Sequence, residues 1–154
     1  MKGKPEVIEI LNSLLKEELT AISQYQLHSE VYKDLGFHEL HEEVEKASVD
    51  EMKHAEDLMG RILFLEGKPI LSELEKLRVG KTVPEMLEND RLLEQDAINR
   101  YNDAISTVSA LGDHGSKILL DHILLDEEKH VDYFETQLSQ IEQLSLPKYL
   151  ITKK

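Results

Sequence analysis

Hydrophobic residues recur every three or four positions along four long segments of this chain, a spacing that predicts amphipathic helices. Strict two-residue alternation, which would predict strands, is nearly absent. The predicted helices run from about Pro5 to Asp34, His38 to Glu66, Thr82 to Leu111, and Ser116 to Leu144. A capping box, Thr82-Val-Pro-Glu85, marks the start of the third helix. The pattern therefore predicts an all-α chain.

The segments between the helices predict how the helices are arranged. Gly67 and Pro69 end the second helix, and roughly fifteen residues then lead to the third. A connection of that length exceeds a tight hairpin and suits a long crossover along a four-helix bundle. Pro147 opens a tail that predicts a short C-terminal fifth helix. With 154 residues, the chain suits one domain over residues 1–154, with a substantial core.

Polar residues interrupt the apolar stripes at positions that a bundle would bury. Glu18 interrupts the stripe of the first helix. The second helix carries Glu51 and His54, and the fourth carries Glu127 and His130. Each pair forms the motif Glu-x-x-His. This spacing puts both side chains of a pair on one helical face. In a chain so rich in Glu, about one such match is expected by chance, so the motif alone is weak evidence for a metal site.

The spacing of these residues repeats along the chain. Glu18 lies 33 residues before Glu51, Glu94 lies 33 residues before Glu127, and the two sets are offset by 76 residues. The same offset relates other pairs, among them Tyr25 and Tyr101, Gly36 and Gly112, Asp50 and Asp126, and Lys53 and Lys129. A duplicated helical hairpin explains this repeat. Convergence on a symmetric site would give a weaker version of the same pattern.

The repeated residues point to a dinuclear metal site. Buried carboxylates near one another are strongly unfavourable unless positive charge compensates them, and two divalent cations would balance four carboxylates. One Glu from each of two helices and a Glu-x-x-His from each of the other two is the ligand plan of ferritin-like di-iron proteins. Carboxylate and imidazole ligands suit iron or manganese, and zinc competes for such a site. Taken singly, each Glu would be a solvated side chain.

Composition excludes several classes of function. The chain has 18 Lys and Arg against 31 Asp and Glu, a formal net charge of −13, which argues against nucleic acid as a partner. It has no cysteine, which excludes disulfides, thiolate metal sites and thiol catalysis. No apolar run approaches the ~20 residues that cross a bilayer, and the N-terminus lacks the apolar stretch of a signal peptide. We therefore expect a cytoplasmic protein with no membrane partner.

At the metal-site residues the chain resembles bacterioferritin, the haem-containing branch of the ferritin family. The resemblance covers essentially the whole chain and includes the segments Asp50–Glu56, Arg61–Gly67 and Asp126–His130. His130 separates the chain from non-haem ferritins, which usually lack a histidine at this position. The missing cysteines separate it from rubrerythrin-like relatives. The resemblance implies a ferritin-like four-helix bundle with the long crossover between helices 2 and 3.

The resemblance also implies roles for individual residues around two irons. The terminal ligands would be Glu18 and Glu94, the bridging ligands Glu51 and Glu127, and the histidines holding one iron each His54 and His130. Tyr25 matches a family tyrosine beside the centre that can donate an electron. Its repeat mate Tyr101 fits that role or a packed aromatic equally well. Asp50 fits a role in admitting iron or at the inner surface, and a solvated side chain is the alternative.

Met52 lies one residue after Glu51, so its side chain points about 100° away from the ligand face. An outward methionine usually packs in an interface. The resemblance implies a different role, in which two copies of Met52 across a two-fold dimer interface ligate one haem b.

The function implied by the resemblance is iron storage and detoxification. Fe²⁺ would be oxidised by O₂ or H₂O₂ at the dinuclear centre and stored as a ferric mineral inside a 24-subunit shell. The implied partners are further copies of the chain, a second ferritin-type subunit, and an electron donor such as a ferredoxin for iron release. One alternative is a small-oligomer di-iron or di-manganese peroxidase or oxidase without storage. Another is a metal-free helical structural protein, which the stripe carboxylates disfavour.

Overall fold

The computed structural model describes the whole chain, residues 1–154. Its five helices are α1 (Pro5–Asp34), α2 (His38–Phe64), α3 (Val83–Ala110), α4 (His114–Leu144) and α5 (Leu146–Ile151). The predicted all-α class, the four long helices and the short fifth helix are confirmed. None of the helices is both long enough and apolar enough to cross a bilayer.

The long helices form two hairpins that pack into a four-helix bundle. Helix α1 lies along α2, and α3 lies along α4, while α1 also contacts α3 and α2 also contacts α4. The short α5 packs on α4. The crossover from residue 65 to residue 82 has no regular structure and joins the two hairpins, as the sequence predicts.

Two apolar clusters fill the bundle, one on each side of its middle. The first includes Leu11 of α1, Leu58 of α2 and Leu120 of α4. The second includes Leu40 of α2, Phe134 of α4 and Tyr149 of α5. On all four long helices, the predicted metal-site residues fall between the positions that supply these clusters. The site is therefore a polar layer between two halves of the core.

The two hairpins turn in the same way. Gly36 and Gly112 both have left-handed backbone conformations, with φ of 82° and 79°. The next residues, Phe37 and Asp113, have φ and ψ of −93° and 74°, and −92° and 74°. Glycine adopts positive φ without the steric cost of a side chain, which explains its recurrence at both turns. This repeated geometry supports a duplicated hairpin.

Helix ends differ from the predicted ones by about a turn or less. Helix α2 ends at Phe64 because Glu66 has a left-handed φ of 62°, which breaks the helix. Helix α4 begins two residues early, because the Asp113 side chain caps it by accepting a hydrogen bond from the Ser116 N–H at 3.0 Å. At α3 the Thr82 side chain accepts from the Glu85 N–H at 3.3 Å.

The crossover is fastened along α1 by polar side chains of that helix. Each accepts a hydrogen bond from a crossover N–H: Asn12 from Ile70 at 2.9 Å, Thr20 from Glu75 at 2.9 Å, Gln24 from Arg78 at 2.9 Å, and His28 from Gly80 at 3.2 Å. A segment without regular structure must pair its backbone donors in some other way, and α1 supplies these acceptors. The crossover is thereby held beside the polar layer.

Candidate metal centre

The six predicted ligand residues meet in the middle of the bundle. Their oxygen and nitrogen atoms form two overlapping sets, and within each set the atoms lie within 4.8 Å of one another. The sets are Glu18, Glu51, His54 and Glu127, and Glu51, Glu94, Glu127 and His130. Both sets contain Glu51 and Glu127, one from each Glu-x-x-His. Two carboxylates shared by the two sets could bind a pair of metal ions in common.

The centre is deeply buried and short of positive charge. The four carboxylate residues are at most 3% exposed. Their cationic partners in the fold are the two histidines, whose rings lie 6.4 Å apart between centroids. Neither Lys nor Arg pairs with any of the four carboxylates. Four acidic groups therefore share two basic ones, which leaves an excess of negative charge in a low-dielectric layer.

This excess raises the pKa of two of the four carboxyl groups. Burial, followed by the charge of Glu127, raises the pKa of Glu51 well above its usual range. The same two causes raise the pKa of Glu94 to about 7. A raised carboxyl pKa means that the site disfavours the ionised form unless a cation is added.

The same surroundings that disfavour charge on these carboxyl groups favour charge on the two histidines. Burial alone would lower the pKa of His54, but its close contacts with the carboxylates of Glu127, Glu18 and Glu51 outweigh burial and raise that pKa far above its usual value. The pKa of His130 is raised in the same way, by Glu127, Glu51 and Glu94. In the metal-free protein the neighbouring carboxylates therefore favour the imidazolium form of both rings.

The arrangement fits two metal ions. His54 Nδ1 lies 2.8 Å from Glu127 Oε1 and 2.9 Å from Glu51 Oε2, and His130 Nδ1 lies 3.1 Å from Glu51 Oε1. Glu51 Oε1 and Glu127 Oε1 are nevertheless buried without a well-directed hydrogen bond. Each Nδ1 proton thus occupies the place where a cation would neutralise several oxygens at once. Carboxylate and imidazole ligands suit iron, manganese or zinc.

Glu18 and Glu94 each belong to only one of the two ligand sets, and each accepts a hydrogen bond from a buried tyrosine. Tyr25 donates a hydrogen bond from its hydroxyl to Glu94, and Tyr101 donates one to Glu18. Both rings are fully buried, and Tyr25 packs against Phe134 with ring centroids 5.8 Å apart. The two contacts obey the repeat seen in the sequence. Tyr101 is therefore more than a packed aromatic, because its hydroxyl reaches the centre as that of Tyr25 does.

Two further predicted residues lie outside the ligand sets. The Asp50 side chain is 38% exposed, and its Oδ2 lies 3.4 Å from His130 Nε2. Its repeat mate Asp126 has Oδ2 at 3.2 Å from His54 Nε2. Met52 points away from the centre and is 42% exposed. The contact between Asp126 and His54 was not anticipated, although the repeat that pairs Asp126 with Asp50 is a signal of it.

A cavity of about 610 Å³ leads from the centre to the surface between α1, α3 and the crossover. Its inner wall includes all four carboxylates of the centre. Two ion pairs form part of the cavity wall, Arg100 with Glu17 and Arg78 with Asp96. Burial raises the pKa of Glu17 to about 7, although Arg100 opposes that rise. Sequence reasoning missed this route, because its wall comes from segments that are far apart along the chain.

The sequence is similar to those of known proteins over nearly its whole length. The Ferritin-like domain family matches residues 8–144. The chain is 46% identical to a bacterioferritin of Streptomyces coelicolor over 152 residues, which covers 99% of this chain and 91% of that protein. It is 43% identical over 144 residues to bacterioferritins of Mycobacterium tuberculosis and Rhodobacter capsulatus. Those matches cover 94% of this chain, and 91% and 89% of the two relatives.

Nδ1 of each histidine faces the carboxylates in the metal-free protein, so a metal ion must displace the proton on that nitrogen. We expect Zn²⁺ to release at least one proton per ion at pH 7, because the raised pKa of Glu51 and of Glu94 adds carboxyl protons to those of the histidines. The apparent affinity for Zn²⁺ should rise by about tenfold or more per pH unit. A pH-indicator titration in weak buffer measures the release. His130→Ala should lose about half of it, whereas His122→Ala, at an exposed position, should keep all of it. Zinc binding to the wild type without proton release would contradict the imidazolium assignment.

Proposed function

The chain belongs to the ferritin family, in its bacterioferritin branch, and on that premise we propose that it stores iron by acting as a ferroxidase. The observation that carries the proposal is the pair of overlapping ligand sets that share Glu51 and Glu127. A site that holds two irons on common carboxylates lets them react as a pair.

The charge of the site suits the oxidation of Fe²⁺. Four carboxylates balance two Fe²⁺ ions, and their attraction for Fe³⁺ is stronger, so the surroundings favour the oxidised product. Each Fe²⁺ gives one electron, so a pair supplies the two electrons that convert O₂ and two protons into H₂O₂. With H₂O₂ as the oxidant, the same two electrons and two protons give two waters. Either reaction leaves two Fe³⁺ for storage.

The protein's own groups orient the site for this chemistry. Tyr25 and Tyr101 hold the terminal carboxylates, Glu94 and Glu18, by hydrogen bonds from buried hydroxyls. Because Tyr25 touches a ligand directly, it is also placed to donate an electron to the centre, the role that the family resemblance implies. The cavity between α1, α3 and the crossover gives Fe²⁺ and the oxidant a route from the surface. Asp50, whose side chain is partly exposed beside His130, is a second place at which iron could be admitted.

Storage requires a hollow assembly, which we propose from the family rather than from this one chain. The subunits would form dimers and then a shell of 24 copies, alone or with a second ferritin-type subunit, in the cytoplasm. A ferredoxin-like electron donor would return Fe³⁺ to Fe²⁺ for release. The exposed face of α2 fits a dimer contact, since Val49, Met52 and Leu63 are all exposed apolar residues on it.

The same face fits haem b at Met52. The Met52 thioether is outside the core and makes no contact with the dinuclear centre, so it is free to ligate. Two copies of Met52, one from each subunit of a dimer, would hold one haem through their sulfurs, and neighbouring apolar residues such as Val49 would cover it. Bound haem would supply a one-electron carrier at the interface.

We expect anaerobic Fe²⁺ titration to show about two tightly bound irons per subunit, because the structure provides two ligand sets. The double variant Glu18→Ala/His130→Ala removes one ligand from each set, so it should lose both irons and slow oxidation by at least tenfold. Isothermal titration calorimetry and the ferric absorbance after adding oxidant measure the two effects. Glu56→Ala, an exposed change on α2, should behave as wild type. Rapid oxidation by the double variant would contradict the assignment.

We expect Met52→Leu to abolish the Soret band of haem-loaded protein, because leucine offers no sulfur ligand. Met59→Leu, a change at a half-buried methionine of the same helix, should keep the band. Both variants should retain the mass of the shell, about 425 kDa for 24 subunits of 17.7 kDa. A Soret band unchanged in Met52→Leu would refute haem ligation by this residue. A small oligomer in the wild type would refute storage.

A further inference from the structure

We propose that Arg100 controls the entry of metal ions into the dinuclear centre. Its guanidinium pairs with two carboxylates at the mouth of the cavity that leads to the centre, and an incoming divalent cation must displace it from them. The inference rests on the proposed function, in which this cavity admits Fe²⁺. It adds a role for a residue that lies outside both ligand sets.

Arg100 lies where the three segments that bound the cavity come together. It belongs to α3, its partner Glu17 belongs to α1, and Glu75 belongs to the crossover. All three residues line the cavity. A single nitrogen of the guanidinium, Nη1, contacts Glu17 and lies 3.7 Å from Glu75 Oε1. The two carboxylates therefore converge on one position at the mouth, and the arginine occupies it.

The carboxylates of this wall become more buried toward the centre. The side chain of Glu75 is 43% exposed, that of Glu17 is 10% exposed, and that of the predicted ligand Glu18 is 3% exposed. The side chain of Arg100 is 49% exposed and pairs with the first two of these carboxylates. A cation that moves inward from one carboxylate to the next thus meets Arg100 before it reaches Glu18.

Glu17 depends on Arg100 for its compensating charge. Glu75 has a second cationic partner, because Lys16 Nζ lies 3.4 Å from its Oε1, whereas Glu17 pairs with Arg100 alone. A carboxylate that is nearly buried is unfavourable without a compensating charge. Glu17 therefore keeps the arginine at the mouth of the cavity.

The second ion pair of the cavity wall differs from this one. Arg78 and Asp96 have side chains that are 41% and 46% exposed, so both partners of that pair are well solvated. Ion pairs between exposed side chains contribute little. We therefore assign the control of entry to Arg100, whose partner Glu17 is nearly buried.

A divalent cation is suited to take the place of the arginine. It brings two positive charges to the point where the carboxylates of Glu17 and Glu75 converge, whereas the guanidinium brings one charge spread over its plane. Once the ion has moved on to Glu18, Glu17 is again without a cation and attracts Arg100 back. Each ion that enters, or leaves by the same route, must therefore displace the arginine.

Stopped-flow uptake of Co²⁺ by the assembled, metal-free protein tests the inference without turnover, because Co²⁺ is bound but not oxidised and its visible absorption reports binding. Arg100→Gln should raise the rate constant of uptake by about three- to tenfold, because no arginine has to be displaced. Release of Co²⁺ to an excess of chelator should rise by a similar factor. The amount bound should stay at two Co²⁺ per subunit, because both ligand sets are intact.

Three further variants separate this role from a general effect of charge. Lys76→Gln removes a positive charge from the same cavity wall, where Lys76 forms no ion pair, and should change the uptake rate by less than about twofold. Arg91→Gln removes an arginine of α3 that pairs with Glu88 and Glu135 away from the cavity, and should behave as wild type. Arg100→Lys keeps a cation beside Glu17 and should stay within about twofold of the wild-type rate.

The affinity for Co²⁺ is a further measure, and in Arg100→Gln it should change no more than in Lys76→Gln. Equal acceleration in these two variants would overturn the inference, since it would show only an effect of net charge. Faster uptake with unchanged release would overturn it in the same way. Loss of a bound Co²⁺ in Arg100→Gln would also overturn it, because Arg100 would then shape the centre itself.

The wild type separates this inference from the proposed function. If the wild type and Arg100→Gln both take up two Co²⁺ per subunit at the same rate, the inference is wrong and the proposed function stands. A wild-type protein that binds no Co²⁺ would overturn both.

Discussion

Four carboxylates meet in the middle of this bundle, and they cannot all remain ionised there unless cations lie between them. This constraint accounts for the raised pKa of Glu51 and of Glu94, and for the protonation of both histidines. It also explains why the apolar core is divided into two clusters with the polar layer between them. The metal-free protein meets the constraint with protons, and under the proposed function two divalent ions would take their place.

The approximate two-fold symmetry of the bundle follows from the same requirement. Two equivalent metal positions need two equivalent sets of supporting groups, and the repeated hairpin supplies both. The symmetry extends beyond the ligands to the tyrosines on the terminal carboxylates and the aspartates on the histidines. It extends even to the left-handed glycines at the hairpin turns. Each supporting group comes from a different helix than the residue it contacts, so these contacts join the helices at the centre.

The sequence alone predicted most of the architecture, because hydrophobic periodicity and helix-ending residues are local signals. It also predicted which six ligand residues lie together, since the repeat linked residues that are distant along the chain. The fastening of the crossover by His28, the ion pair of Glu17 with Arg100, and the contact of Asp126 with His54 were not predicted. These features depend on which side chains face one another across helices, and spacing within one helix does not determine that. The sequence predicted the end of α2 at Glu66, two residues after its observed end at Phe64. Glu66 has a left-handed backbone, and a glutamate at that position gives no sequence signal of this conformation.

The central claim is that Glu51 and Glu127 hold two metal ions jointly, and anomalous X-ray scattering from crystals soaked anaerobically in Fe²⁺ tests it most directly. The account predicts two iron peaks per subunit, about 3.5–4 Å apart, with Glu51 and Glu127 between them. One peak should lie about 2.0–2.2 Å from His54 Nδ1 and the other at the same distance from His130 Nδ1. A single peak, or two peaks that share neither glutamate, would contradict the account.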